Sequence, residues 1–354
     1  NTIMSQFKIN SITDKSGTSG PVIAGVSTNN STGCMIIPAG PTEHRGGRGR
    51  LVFGGGYYPS PHADLGTMDF VEISTLGNAV DFGDLSIARA ALQCGSSGTR
   101  GLFTGGTHPG RPSTGQTQID YITFQSGGGT NDFGDMSFEG THKGAGISNG
   151  IRGVFCGGYA GDSPYHMFAT CQFVTIATLG NSAFFGELTQ PAQTDASASD
   201  RTRGCITGME IGNNPSTTNI NNIEFLTTAT LGNAQDFGDL TLARRCSNGC
   251  SSSTTRGLFY SGSPGPGPHR NTIDYITIQT KGNATNFGDM TTFGNVGGAV
   301  HGSNLTRSVN HQSGDGNVIE FVTIATTGNT SDFGDMTNGR APAGAIDNSN
   351  GSME

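Results

Sequence analysis

Short apolar segments with polar residues interleaved recur along this chain, separated by glycine-rich turns. The clearest lie at 68–73, 119–124, 171–176, 223–228, 273–278 and 319–324. Their β-branched and aromatic residues, alternating with polar ones, predict strands packed on at least one face. A turn follows each, as in Leu76-Gly77-Asn78, Leu179-Gly180-Asn181 and Leu231-Gly232-Asn233. These residues tolerate positive φ, so the next strand is predicted to return antiparallel. That strand carries Phe-Gly-Asp, beginning at Phe82, Phe133, Phe185, Phe237, Phe287 and Phe333, with Glu187 as the one departure. An Arg opens another apolar strand in each cycle, at Arg50, Arg100, Arg152, Arg203, Arg256 and Arg307. Several of these strands end in glycine pairs, such as Gly105-Gly106 and Gly157-Gly158. A small, polar segment before the Arg, such as 94–99 or 247–255, supplies a fourth strand.

The Phe-Gly-Asp spacings are 51, 52, 52, 50 and 46 residues. A period of about fifty belongs to blade-type repeats. No long stretch shows helical periodicity, and 58 Gly with only 13% charged residues disfavours helices. The reading is all-β: a six-bladed β-propeller over 47–354, preceded by an N-terminal arm over 1–46 that lies outside the period and reads as an extended tether. Within the arm, 34–38 reads as a run able to add a strand. The C-terminal segment from Arg340 aligns with the segment from Arg244, which precedes an Arg strand. It is therefore expected to pair with Leu51, Val52 and Phe53 and to close the ring, removing open edges.

The six Phe and the six opening Arg recur identically, which predicts a structural role: rings buried between blades and guanidinium groups bound to carboxylates or turn carbonyls. A second row of acids, Asp69, Asp120, Glu224, Asp274 and Glu320, is interrupted by Gln172 and reads as a solvated edge or channel lining. The formal net charge is −8 with no basic stripe, arguing against nucleic acid. No apolar run is long enough for a membrane span, and no signal pattern opens the chain. Seven Cys show no metal-type spacing and read as small buried strand residues. No convergent nucleophile, acid or metal set emerges, so neither catalysis, a metal nor a cofactor is expected. What the repeat leaves free are the loops between the Arg strand and the aromatic strand. They carry Tyr57, Tyr58, His62, His108, Arg111, Tyr165, His166, His269 and Arg270, residue types suited to protein or glycan contacts.

The diglycine, the aromatic strand and the large aromatic after it stand in the order of kelch repeats, which the chain resembles. That resemblance implies a β-propeller. Kelch blades usually carry Trp where this chain has the Phe of Phe-Gly-Asp, and the diglycine decays to Gly208-Met209, Ser261-Gly262 and Gln312-Ser313. The run at 223–240 and the leader at 5–21 are also similar to glycine-rich structural proteins of marine bacteriophages, cyanophages in particular. This second resemblance implies a non-enzymatic structural or appendage protein of the virion, such as a tail fibre or capsid decoration, present in multiple copies. The arm would join it to other virion proteins. The propeller would be displayed towards a host-surface protein or glycan, a lectin-like role being the alternative.

Overall fold

The computed structural model describes residues 27–28, 35–36 and 49–349, apart from 60–61, 109–114, 139–140, 161–165, 214–215, 247, 266–268, 292–299 and 312–315. The chain divides into two compact units, 1–46 and 47–354. In the first, β1 (Ser27–Thr28) pairs antiparallel with β2 (Met35–Ile36), which lies within the 34–38 run.

The second unit is built from strands alone, with no helix among the described residues. Its first repeat is the meander β3 (Arg50–Pro59), β4 (His62–Glu72) and β5 (Val80–Asp84). The second comprises β6 (Gln93–Ser96), β7 (Arg100–Thr104), β8 (Gln118–Thr123) and β9 (Asn131–Asp135). In the third, β10 (Ala145–Ser148) and β11 (Arg152–Cys156) lead through a small hairpin, β12 (Tyr159–Ala160) and β13 (His166–Met167), to β14 (Thr170–Thr175) and β15 (Ala183–Glu187). The fourth follows the same plan: β16 (Ala196–Ser199), β17 (Arg203–Thr207), a hairpin of β18 (Glu210–Asn213) and β19 (Ser216–Asn219), then β20 (Asn222–Thr227) and β21 (Gln235–Asp239). The fifth contains β22 (Asn248–Cys250), β23 (Arg256–Gly262), β24 (Arg270–Thr277) and β25 (Thr285–Asp289). The sixth contains β26 (Val300–Ser303), β27 (Arg307–His311), β28 (Val318–Thr323) and β29 (Ser331–Asp335). Last, β30 (Gly344–Asp347) pairs antiparallel with β3, setting Leu51, Val52 and Phe53 opposite Asp347, Ile346 and Ala345.

Burial falls steeply across each sheet. First strands such as β6, β10 and β16 are buried along their whole length, whereas β5 and β9 bury little beyond the Phe of Phe-Gly-Asp. Small residues at the first strands (Gly146, Ala196, Ala198, Gly249) allow this crowding, and the sheets are arranged as in a propeller.

Strand pairing does not give six separate four-stranded blades. Four blade-sized sheets stand apart: three of four strands, and one of three, β23–β25. The fourth and sixth repeats instead merge through β22 into a nine-stranded sheet. The cause is local. β22 pairs in parallel with both β16 and β26, through Ala196↔Gly249 and Asn248↔Val300, rather than along β23. Asn248 Nδ2 donates to the carbonyls of Leu92 at 2.7 Å and Ala343 at 3.3 Å, and the segment meets β23 only beyond β22, where Ser252 bridges to Gly257. Glycine is required at 249, because a Cβ there would lie 2.3 Å from the His301 carbonyl oxygen.

Side chains of the second strands mesh from one repeat to the next. A Cβ on Gly54 would lie 2.5 Å from the Phe103 ring, so the last position of this strand in one repeat faces the aromatic of the next. Thr104, Cys156 and Thr207 stand in register with Gly54, all of them small. The fifth repeat has Tyr260 there and the sixth His311, and the sixth has Asn310 where the others carry Phe53, Phe103, Phe155, Ile206 and Phe259. Tyr260 reaches across to Ser308, its hydroxyl 2.7 Å from Ser308 Oγ, on the strand face that Asn310 shares. The aromatic ring has crossed the interface, and the volume is conserved.

Four outcomes are expected in urea unfolding. Phe237→Ala should destabilise the fold by about 3–5 kcal/mol, the range for truncating a buried aromatic. Tyr260→Thr should cost about 3 kcal/mol through the cavity it leaves, and Asn310→Phe about 1–3 kcal/mol through overpacking. The double variant restores the arrangement of the other repeats and should recover most of both losses. Simple additivity would show that the two positions do not share one space.

Candidate functional site

The recurring residues are consumed in contacts within and between repeats. Each Phe of Phe-Gly-Asp is buried and meets the aromatic of the preceding strand edge-on, as Phe82 does with Phe70 at 5.9 Å and Phe333 with Phe321 at 6.1 Å. Each opening Arg lies over that same aromatic: Arg50 over Phe70, Arg100 over Tyr121, Arg152 over Phe173, Arg203 over Phe225, Arg256 over Tyr275 and Arg307 over Phe321, all within 4.9 Å of the ring centroid. The guanidinium then donates to a carbonyl of another repeat. Arg50 reaches Phe124, Arg100 Ile176, Arg152 Thr228, Arg203 Ile278, Arg256 Ile324 and Arg307 Ile73. Among the described residues, Arg50 alone of the six adds an ion pair, with Glu72 at 2.9 Å.

The second row of acids is neither a solvated edge nor a channel lining. Asp69, Asp120, Gln172, Glu224, Asp274 and Glu320 are all buried. Their partners come mainly from the segment that follows Phe-Gly-Asp in another repeat. Ser86 Oγ donates to Asp120 at 2.7 Å and Thr241 Oγ1 to Asp274 at 2.7 Å. Thr337 Oγ1 donates to Asp69 at 2.7 Å, while Thr189 and Thr291 donate to Glu224 and Glu320. At Gln172 the same job falls to the Phe138 N–H and Ser182 Oγ. Burial nevertheless pushes the Glu224 carboxyl above the usual range.

Aspartate, one carbon shorter, brings an arginine with it. Asp120 pairs with Arg89 at 2.7 Å, Asp274 with Arg244 at 2.9 Å and Asp69 with Arg340 at 2.5 Å, all sealed from solvent. Each Arg stands three residues after the hydroxyl, and where the partner is Gln172, Glu224 or Glu320 the sequence has Gly140, Ala192 or Gly294 instead. This alternation was present in the sequence. Its signal is that Asp and Arg vary together between repeats.

The free chemistry lies on the loops. Tyr57, Tyr58 and His62 share the β3–β4 hairpin, with Tyr57 opposite Asp64 and Tyr58 opposite Ala63. Burial, then Asp64, raises the Tyr57 phenol above its ordinary value. Tyr58 is exposed. His108 is half-buried in the second repeat. His166 is exposed at the start of β13, opposite Ala160. His269 is half-buried, its Nδ1 without a partner among the described residues, and Arg270 is exposed at the start of β24. Arg111 and Tyr165 lie outside the described residues. Six of the seven cysteines are described, and Cys94, Cys156, Cys171, Cys205 and Cys246 are buried free thiols; no group of three metal-ligating residues comes together among the described residues.

The Asp–Arg alternation gives a test. Asp274→Ala should destabilise by about 3–5 kcal/mol, because it strands a buried Arg244. Asp274→Glu combined with Arg244→Ala copies the Glu224 and Ala192 arrangement and should recover most of that loss in chemical unfolding. A double variant no more stable than Asp274→Ala would show that the two arrangements are not equivalent.

No known protein family matches the chain, and no curated protein sequence matches it.

Proposed function

We propose that the protein is a six-bladed, kelch-like propeller closed into a ring by its C-terminal strand, acting as a non-enzymatic structural or appendage component of a phage virion. The observation that carries the scaffold reading is that the recurring Arg, Phe and acidic side chains are already engaged, the Phe rings within their own repeat and the Arg and acids across to another, leaving interaction chemistry to the loops.

The ring reading is supported by contacts that return to their start. The Phe carbonyl of Phe-Gly-Asp accepts from a turn glycine N–H: Phe82 from Gly128, Phe133 from Gly180, Phe185 from Gly232, Phe237 from Gly282, Phe287 from Gly328, and Phe333 from Gly77 of the first repeat. The sixth and first repeats thus share the bond found between every other neighbouring pair, as they do through Arg307 with Ile73 and Thr337 with Asp69. The merging of two repeats through β22 is compatible with this count, because each keeps its own second, third and fourth strands.

The virion assignment rests on the likeness of 223–240 and the 5–21 leader to phage structural chains. In this reading residues 1–46 attach many copies of the propeller to other particle proteins, and the loops face a host-surface protein or glycan. Phe7, Ile9, Ile12, Met35, Ile36 and Ile37 give the arm apolar anchors of the kind an extended segment uses on a partner surface.

Ending the chain after Met336 removes β30, and unfolding is expected to lose cooperativity; an unchanged melting transition would refute closure. A chain beginning at Gly46 is expected to melt like the full chain yet be absent from purified particles. Equal incorporation would place attachment on the propeller itself, and failure to find the full-length protein in particles would overturn the virion reading.

A further inference from the structure

One place in the repeat needs only backbone. Ahead of the first strand, a residue forms an antiparallel bridge with the residue just beyond the second strand: Ala341 with Tyr57, Ala90 with Thr107, His142 with Tyr159, Gln193 with Glu210 and Arg245 with Ser263. Ala90 and Ala341 make the bridge with a methyl group, and their followers Ala91, Leu92, Pro342 and Ala343 are apolar. The third to fifth repeats place His142-Lys143, Gln193-Thr194-Asp195 and Arg245 there instead. The fold does not require these polar side chains.

They converge on one another. Arg245 Nη1 pairs with Glu210 Oε2 at 3.2 Å, and Gln193 Nε2 donates to Asp195 Oδ2 at 3.1 Å. Lys143 holds a left-handed φ of 54°, and its ammonium lies 5.9 Å from the Tyr159 ring centroid. His142 lies against that same ring, tilted by 54° with the centroids 3.9 Å apart. Asp195, Gln193 and His142 are buried, whereas Arg245 and Glu210 keep 24% and 16% of their side-chain surface open to solvent. His142 Nε2 and Arg245 Nε are buried with no partner among the described residues.

Holding such groups out of water is costly. Burial pushes the Asp195 carboxyl up to about 6, lowers the His142 imidazole to about 4, and lowers the Lys143 amine against the pull of Asp195. A cost that the first two repeats avoid with alanine signals selection for something other than folding. The charges also balance: two cations, Lys143 and Arg245, stand beside two acids, Asp195 and Glu210, and His142 is neutral near pH 7.

We propose that Tyr159, His142, Lys143, Asp195, Glu210 and Arg245 form a binding site for a neutral carbohydrate. Adjacent carboxylates and cations accept from and donate to neighbouring hydroxyls in pairs. A half-exposed aromatic suits the C–H face of a sugar ring. Zero net charge gives a phosphate, sulfate or sialic acid no advantage over a neutral glycan. The proposal rests on reading the loops as the recognition surface, and names what they recognise.

The test is to apply the purified full-length chain to an array of neutral oligosaccharides beside sialylated and sulfated ones, then titrate the best by calorimetry. Neutral glycans are expected to bind. Arg245→Met and Asp195→Asn should each weaken binding about tenfold or more, as for a lost hydrogen bond to a charged group. Above pH 6 Asp195→Asn should leave the melting temperature unchanged or raised. The sign follows because a carboxyl raised by burial is destabilising when ionised, so the loss begins above the ordinary carboxyl value and is complete once pH has risen through its folded value. No neutral binding, preference for acidic glycans, or binding that survives in both variants overturns the proposal. Particle incorporation is read separately, so the virion reading and the carbohydrate site can fail independently.

Discussion

The second unit depends on how closely the backbone of one Phe-Gly-Asp strand approaches the turn of another repeat. At Gly83 a Cβ would lie 2.4 Å from the Gly128 carbonyl carbon, and at Gly334 it would lie 2.4 Å from the Gly77 carbonyl oxygen. Both glycines also take positive φ, so two independent reasons exclude any other residue. The approach sets the N–H to carbonyl bond between repeats. It also fixes the distance at which the neighbouring Phe, the aromatic before it and the Arg above it can stack.

Given that spacing, charge is handled without solvent. An acid carried on the third strand is satisfied by a Ser or Thr of another repeat, and aspartate recruits an arginine to finish the job. Such buried pairs add little net stability compared with apolar packing, yet either half alone is costly. They therefore act more as a register device, penalising any repeat that docks one position out of place. The Tyr260 and Asn310 exchange does the same at one interface, because an aromatic on the wrong side would meet another aromatic or leave a void.

The repeat leaves two kinds of freedom: loops that vary in length, and a bridge position where backbone suffices. The first produced an exposed hairpin with Tyr58 and separate histidines on other repeats. The second placed polar side chains of three consecutive repeats at equivalent bridges, with His142 and Lys143 against Tyr159 and Arg245 paired with Glu210 of the repeat before it.

The sequence alone determined the all-β class, the six repeats, the positions of the Phe and Arg, and the pairing of the C-terminal segment with Leu51, Val52 and Phe53. All of these rest on local periodicity and on residues repeated at fixed spacing, which survive without knowledge of neighbours. It misplaced the second row of acids, because an acid alternating with apolar residues looks solvated until the hydroxyl and Arg of another repeat are set against it. It did not reveal that β22 leaves its own sheet: Asn248 is a small polar strand residue in sequence, and the Leu92 and Ala343 carbonyls to which it donates are supplied by residues far away in the chain. Nor could it assemble His142, Lys143, Asp195, Glu210 and Arg245, since about fifty residues of period separate their bridge positions and only the stacking of successive repeats brings them together.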